Sequence, residues 1–181
     1  MIKNSIDFEK IFVERLGDIN RTSLSSLSEN KLRFELGGEE DGLLRIKQAL
    51  HRSNQIIQYC FEGLAIWLRI ILWDEDAGIN LTNAGLDKKN ADSSFKNSDN
   101  PDEEVLYLHF NKCSPIITSP ILTSIINYEM AEEPSANVTC YFINLEKSII
   151  VNVYDDRGID IYSQNKNITS DLADKFHDWL I

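Results

Sequence analysis

Residues Ile149 to Tyr162 read I-I-V-N-V-Y-D-D-R-G-I-D-I-Y. Two apolar, β-branched runs flank Asp155-Asp156-Arg157-Gly158, and this pattern decides the fold class. β-Branched residues suit a pleated sheet. Asp tolerates turn geometry, and Gly158 is placed to take the positive φ that closes a hairpin with a bulge. Working outward, Val138 to Leu145 is a further strand, reached through Glu146-Lys147. Val138–Leu145, Ser148–Tyr154 and Gly158–Ser163 together make a predicted antiparallel meander. After it, Thr169 is positioned to cap a final helix carrying Leu172, Phe176, Trp179 and Leu180 on one face, with Asp171 favouring the helix dipole.

Upstream, Ile6 to Ile19 places apolar residues at helical spacing, which predicts an amphipathic helix ending near Gly17. The Ser-rich stretch Thr22 to Asn30 reads as a loop. Lys31 to Leu36 alternates Leu32, Phe34 and Leu36 with charged residues, the pattern of a half-buried strand. Asp41 can cap a helix from about Gly42 to Phe61. Leu64 to Trp73 reads as a strand buried on much of both faces, with Trp67 and Trp73 in the core; a helix is the other reading of so short an apolar run. Val105 to Phe110 is a strand, and Ser119-Pro120 supplies a cap and first-turn proline for a helix with Ile121, Leu122, Ile125, Ile126 and Met130 on its apolar side. Between these, residues 74 to 104 form a polar excursion rich in carboxylates, Asn and Ser, expected to be a long loop, partly disordered or resting on the surface. The predicted architecture is α+β. It is one domain over residues 1–181, a single antiparallel sheet of about five or six strands packed by helices, with the C-terminal meander followed by a helix.

A chain of 181 residues can bury one sizeable core. Its 29 acidic and 18 basic residues give a net charge of −11. Such a potential repels phosphate backbones and speeds docking of a basic partner, although solubility alone also accounts for it. Direct nucleic-acid binding is therefore not expected. Cys60, Cys113 and Cys140 are widely spaced and lack a C-x-x-C pair, so they read as buried reduced thiols of a cytosolic protein. The N-terminus has charges where a signal peptide needs an apolar core, and Leu64 to Trp73 contains Arg69 and is too short to cross a bilayer. The chain is thus expected to be cytoplasmic and free of membrane.

No glycine loop for phosphates and no nucleophile elbow occurs, and His51, His109 and His177 fall on three different elements without metal-ligand spacing. Neither catalytic residues nor cofactors are assigned, and a binding protein is the expected class. Two groups of residues are candidates for it. Asp155 and Asp156 at the hairpin tip, with Asp160 beyond, could hold a cation or a partner's arginine. The structural alternative has the first Asp accepting backbone N–H groups while Arg157 pairs with Asp160 or a neighbouring carboxylate. A small metal-dependent hydrolase built on Asp155, Asp156 and Asp160 is the rival function. The second group is acidic: Asp74, Glu75 and Asp76, and Asp102, Glu103 and Glu104, with Glu39-Glu40-Asp41 and Glu132-Glu133 elsewhere. These are either solvated loop charge or a negative patch facing a cationic protein.

From Ile125 to Ile181 the chain resembles an uncharacterised bacterial domain family. The resemblance is carried by Ile126-Asn127-Tyr128 with Glu133-Pro134, by Tyr154-Asp155-Asp156-Arg157-Gly158-Ile159-Asp160, and by Trp179-Leu180 in the final helix. That group is similar to small acidic immunity proteins encoded beside polymorphic toxins, including those of contact-dependent growth inhibition. The resemblance implies a non-enzymatic role: binding a cognate toxin's C-terminal domain, commonly a nuclease, and blocking it in the cytosol. The motif Tyr154, Asp155, Asp156, Arg157, Gly158 and Asp160 carries no catalytic role across.

Overall fold

The computed structural model describes residues 2–17, 24, 27, 29–100 and 103–181. Most of the predicted loop from Thr22 to Asn30 therefore lies outside the described residues. The elements run α1 (Ser5–Leu16), β1 (Lys31–Glu35), α2 (Gly42–Phe61), β2 (Ile66–Leu72), α3 (Ala77–Asn83), β3 (Ser93–Asn100), β4 (Glu103–Phe110), α4 (Pro115–Glu129), β5 (Val138–Asn144), β6 (Ile149–Val153), β7 (Gly158–Ser163) and α5 (Lys166–Lys175). The fold is α+β, with one antiparallel sheet in the order β1-β7-β6-β5-β2-β4-β3.

Among the described residues the sheet has seven strands, against about five or six expected, and the additional one corrects the reading of residues 74 to 104. That segment is not a structureless loop. Ala77, Leu81 and Leu86 are buried beneath it, anchoring α3, and β3 pairs with β4 from Ser93↔His109 to Asn100↔Glu103. Backbone pairing with a neighbour offsets the weak strand preference of Ser and Asn there.

Two helix starts also shift. The helix expected to begin at Ser119-Pro120 starts with Ser114 as cap and Pro115 in its first turn, leaving Pro120 inside. The last helix is capped by Asn165, whose side chain accepts from the Asn167 N–H, and it ends at Lys175. Trp179 consequently sits in a separate short turn, His177–Trp179. Beyond it Leu180 bridges to Phe34 and the Ile181 N–H donates to the Arg33 carbonyl at 2.9 Å, covering the outer edge of β1.

Helices α2, α4 and α5 cover one face of the sheet, burying Phe34, Leu68, Ile70, Phe142, Val151, Ile159 and Ile161. Helix α1 lies on the other face, where Phe8, Phe12 and Leu16 pack on Trp67, Tyr107, Ile143 and Ile150. Strands β2, β6 and β7 are buried along their whole length, as a sheet sandwiched between helices requires. The α1 face carries a row of polar and aromatic residues in direct cross-strand register: Arg33, Asp160, Asn152, Tyr141, Arg69, Tyr107 and Phe95. Under α1 this row is satisfied internally. The Tyr107 hydroxyl donates to Glu9 at 2.7 Å, and Arg69 lies 3.4 Å from that hydroxyl and 3.8 Å from Glu9. Burial pushes the Tyr107 phenol up to about 12. No helix among the described residues is long and apolar enough to cross a membrane.

Candidate functional site

The motif turn joins β6 to β7, and its carboxylates are buried: Asp155, Asp156 and Asp160 are 4%, 5% and 1% exposed. A buried carboxylate needs a cation and hydrogen bonds to stay in place. Each has its own arginine, drawn from a different element. Asp155 accepts from the Arg157 backbone N–H and from its Nε, both at 2.7 Å. Asp156 pairs with Arg45 of α2. Asp160 accepts from Nε and Nη2 of Arg33 in β1, at 2.7 and 2.8 Å, because Arg33 and Asp160 stand directly opposite across the strand pair. Those hydrogen bonds to Asp160 hold the Arg33 guanidinium above its ordinary value. The sequence offered Asp160 as one partner for Arg157; the register gives Asp160 to Arg33 instead, and Arg157 to Asp155.

The glycine also plays a different part from the one expected. Gly158 does not have a positive φ. It is the first residue of β7, and a Cβ there would run into the Tyr154 hydroxyl and ring. Tyr154 thus lies across the hairpin neck, its N–H donating to the Gly158 carbonyl at 3.3 Å, while the Arg33 guanidinium sits over its ring at 5.1 Å. Gly37 is a second close approach, since a Cβ would come within 2.8 Å of the Asp156 carbonyl oxygen. The Leu36 N–H donates to the Arg157 carbonyl at 2.8 Å. The motif is therefore a clasp that fastens the β6–β7 hairpin to β1 and to α2. Among the described residues no group of three or more His, Cys, Asp or Glu side chains is arranged to hold a metal ion.

The acidic residues behave differently. Antiparallel pairing places Glu35 opposite Gly158, Leu72 opposite Val138, and Leu72 opposite Glu104. The start of α2, the β6–β7 turn, the end of α4, the end of β2 and the start of β4 consequently share one end of the sheet. Contacts agree: a Cβ on Gly42 at the start of α2 would lie 3.5 Å from Met130 at the end of α4, and the Trp73 N–H donates to the Asn137 carbonyl at 3.2 Å, just beyond β2 and before β5. Glu39, Glu40, Asp41, Asp74, Glu75, Asp76, Glu104, Glu132 and Glu133 are all exposed at this end. Asp102 lies outside the described residues, and Glu103 contributes its backbone to β4.

Asp74, Glu75 and Glu104 line an open groove of about 410 Å³ with Leu72, Ile79 and Lys88. Lys96 pairs with Glu104, and burial lowers the Lys88 ammonium from its ordinary value. Trp73, expected in the core, is 48% exposed, and Ile79, which lines the groove, is 60% exposed. The Trp lies one residue past the paired part of β2, which ends at Leu72. The signal was present in the D-E-D run immediately after it.

Other candidates are quiet. Cys60, Cys113 and Cys140 are buried and unbridged; burial pushes the Cys60 and Cys113 thiols up to about 12 and raises Cys140 as well, which makes them poor nucleophiles. His109 packs tilted against Trp67 with ring centres 4.6 Å apart, and His51 on α2 and His177 in the last turn are exposed.

A family described as a domain of unknown function, DUF3885, matches the chain over residues 8–181. No curated protein and no solved structure matches it.

Proposed function

For this chain, which belongs to the DUF3885 family, we propose a non-enzymatic role as a cytosolic immunity protein that binds and neutralises a cognate polymorphic toxin domain of the nuclease class. The observation that carries the reading is the gathering of exposed carboxylates from four separate segments at one end of the sheet, beside exposed Trp73 and Ile79. A nuclease must bind polyanions, so its cleft is basic. A complementary acidic end steers the encounter toward association rates of about 10⁸ M⁻¹s⁻¹ at low salt, while a half-exposed tryptophan supplies the kind of anchor that holds a complex together. The carboxylates of the motif turn take no part, because their arginines already neutralise them.

Co-expression tests the reading. A toxin C-terminal domain encoded immediately upstream is expected to kill cells alone and to be tolerated when this protein is made with it. Equal killing with and without the protein overturns it. Purified complex should weaken steeply between low and physiological salt, as rim electrostatics do.

A further inference from the structure

The face of the sheet that carries α1 is lined by aromatic rings. Phe8 of α1 packs on Trp67 and Tyr107, with ring centres 5.2 and 5.0 Å apart. Nearer the acidic end, the same face presents Tyr141 and Tyr154, both half-buried, and then exposed Trp73. These three rings are held in place. The Trp73 indole N–H donates to the Thr139 hydroxyl at 3.0 Å, the Arg69 guanidinium lies 5.7 Å from the Tyr141 ring centre, and Arg33 lies 5.1 Å from that of Tyr154. Two of the rings thus carry the chain's own guanidinium groups. The third is the exposed one, and Asp74, Glu75 and Asp76 follow it directly in sequence.

We infer that Trp73 is the centre of the docking face and that it receives an arginine of a basic protein partner, the guanidinium stacking on the indole while the adjoining carboxylates neutralise it. This rests on the proposal that the acidic end binds a basic protein, and it adds the anchoring residue and the side chain it reads. Arginine suits the site better than lysine: its planar, weakly hydrated cation stacks on aromatic faces and donates to carboxylates through a rigid fork of N–H groups, whereas a lysine ammonium is a compact, strongly hydrated charge. Preorganisation of the indole by Thr139 reduces the ordering cost on binding.

The test uses the full-length protein and two synthetic probes of equal charge, an oligo-arginine and an oligo-lysine peptide, titrated at low salt by calorimetry and tryptophan fluorescence. The expected result is about threefold tighter binding of the arginine peptide, the size of an exposed cation–π contact, with an emission change that disappears in Trp73→Phe. In Trp73→Ala the preference for arginine should vanish while salt-sensitive binding of both peptides persists. Asp74→Lys with Glu75→Lys should lose both. Equal affinity for the two peptides, unchanged in Trp73→Ala, overturns the anchor and leaves the acidic docking end standing. Binding of neither peptide overturns both. Trp73 is at the surface, so circular dichroism should show each variant folded as the parent is.

Discussion

The β6–β7 turn and the β2–α3 junction lie at one end of one sheet, and both are rich in aspartate. Their carboxylates are nevertheless used in opposite ways. Asp155, Asp156 and Asp160 are buried and each is held by an arginine of the same chain; Asp74, Glu75 and Asp76 are exposed and follow an exposed tryptophan. The difference teaches that aspartate in a motif says little by itself. What decides its use is whether the fold brings a cation within reach and removes water. Where it does, the acid is part of the frame; where it does not, the charge is left to act on whatever approaches.

Four measurements would break or sharpen that contrast. The largest effect is expected from Asp160→Ala, which strips a fully buried carboxylate from Arg33. Because that arginine side chain is 34% exposed, it can regain part of its hydration, and a loss of about 3 kcal/mol at the lower end for a broken buried pair is expected in urea unfolding. A loss below that of a surface substitution would remove the clasp from the account. Next, Gly158→Ala forces a methyl group against Tyr154 and should cost about 2 kcal/mol, as overpacking does; a neutral result would mean that the hairpin neck is looser than its geometry. The exposed set Asp74→Asn, Glu75→Gln and Asp76→Asn should change stability by no more than about 0.5 kcal/mol, while slowing association with a basic domain. If instead it unfolds the protein, these acids belong to the frame too.

The smallest effect is a slope with pH. Burial holds the Tyr154 phenol above its ordinary value, with Arg33 opposing. As pH rises through the ordinary tyrosine range, the unfolded chain releases this proton and the native state keeps it. The native state then binds more protons, so stability falls with rising pH. Tyr154→Phe should flatten that part of the alkaline decline, and an unaltered slope would assign it to other groups.

Much of the frame was legible in residues 138 to 163, where β-branched runs and a D-D-R-G turn leave few alternatives. Strand β3 was not, because Ser93–Asn100 contains a single large apolar residue, Phe95, and becomes a strand only by pairing with β4. The helix start at Ser114 was hidden by the stronger-looking Ser119-Pro120 pair. The pairing of Asp160 with Arg33 needed the β1–β7 register, which joins residues 127 positions apart. The acidic end was legible only as clusters near element ends. Their convergence depends on the strand order, with β2 inserted between β5 and β4, and no local pattern reports that. Trp73 was misplaced because Ile70, Ile71 and Leu72, immediately before it, are apolar.

The polar and aromatic row across the α1 face has a consequence for assembly of the chain. It places Arg33, Asp160, Asn152, Tyr141 and Arg69 on one side of five adjoining strands. A strand that slid by one position would turn its member of that row into the apolar layer beneath α2 and α4. Mispaired intermediates are thereby made costly, and the sheet checks its own alignment as it closes.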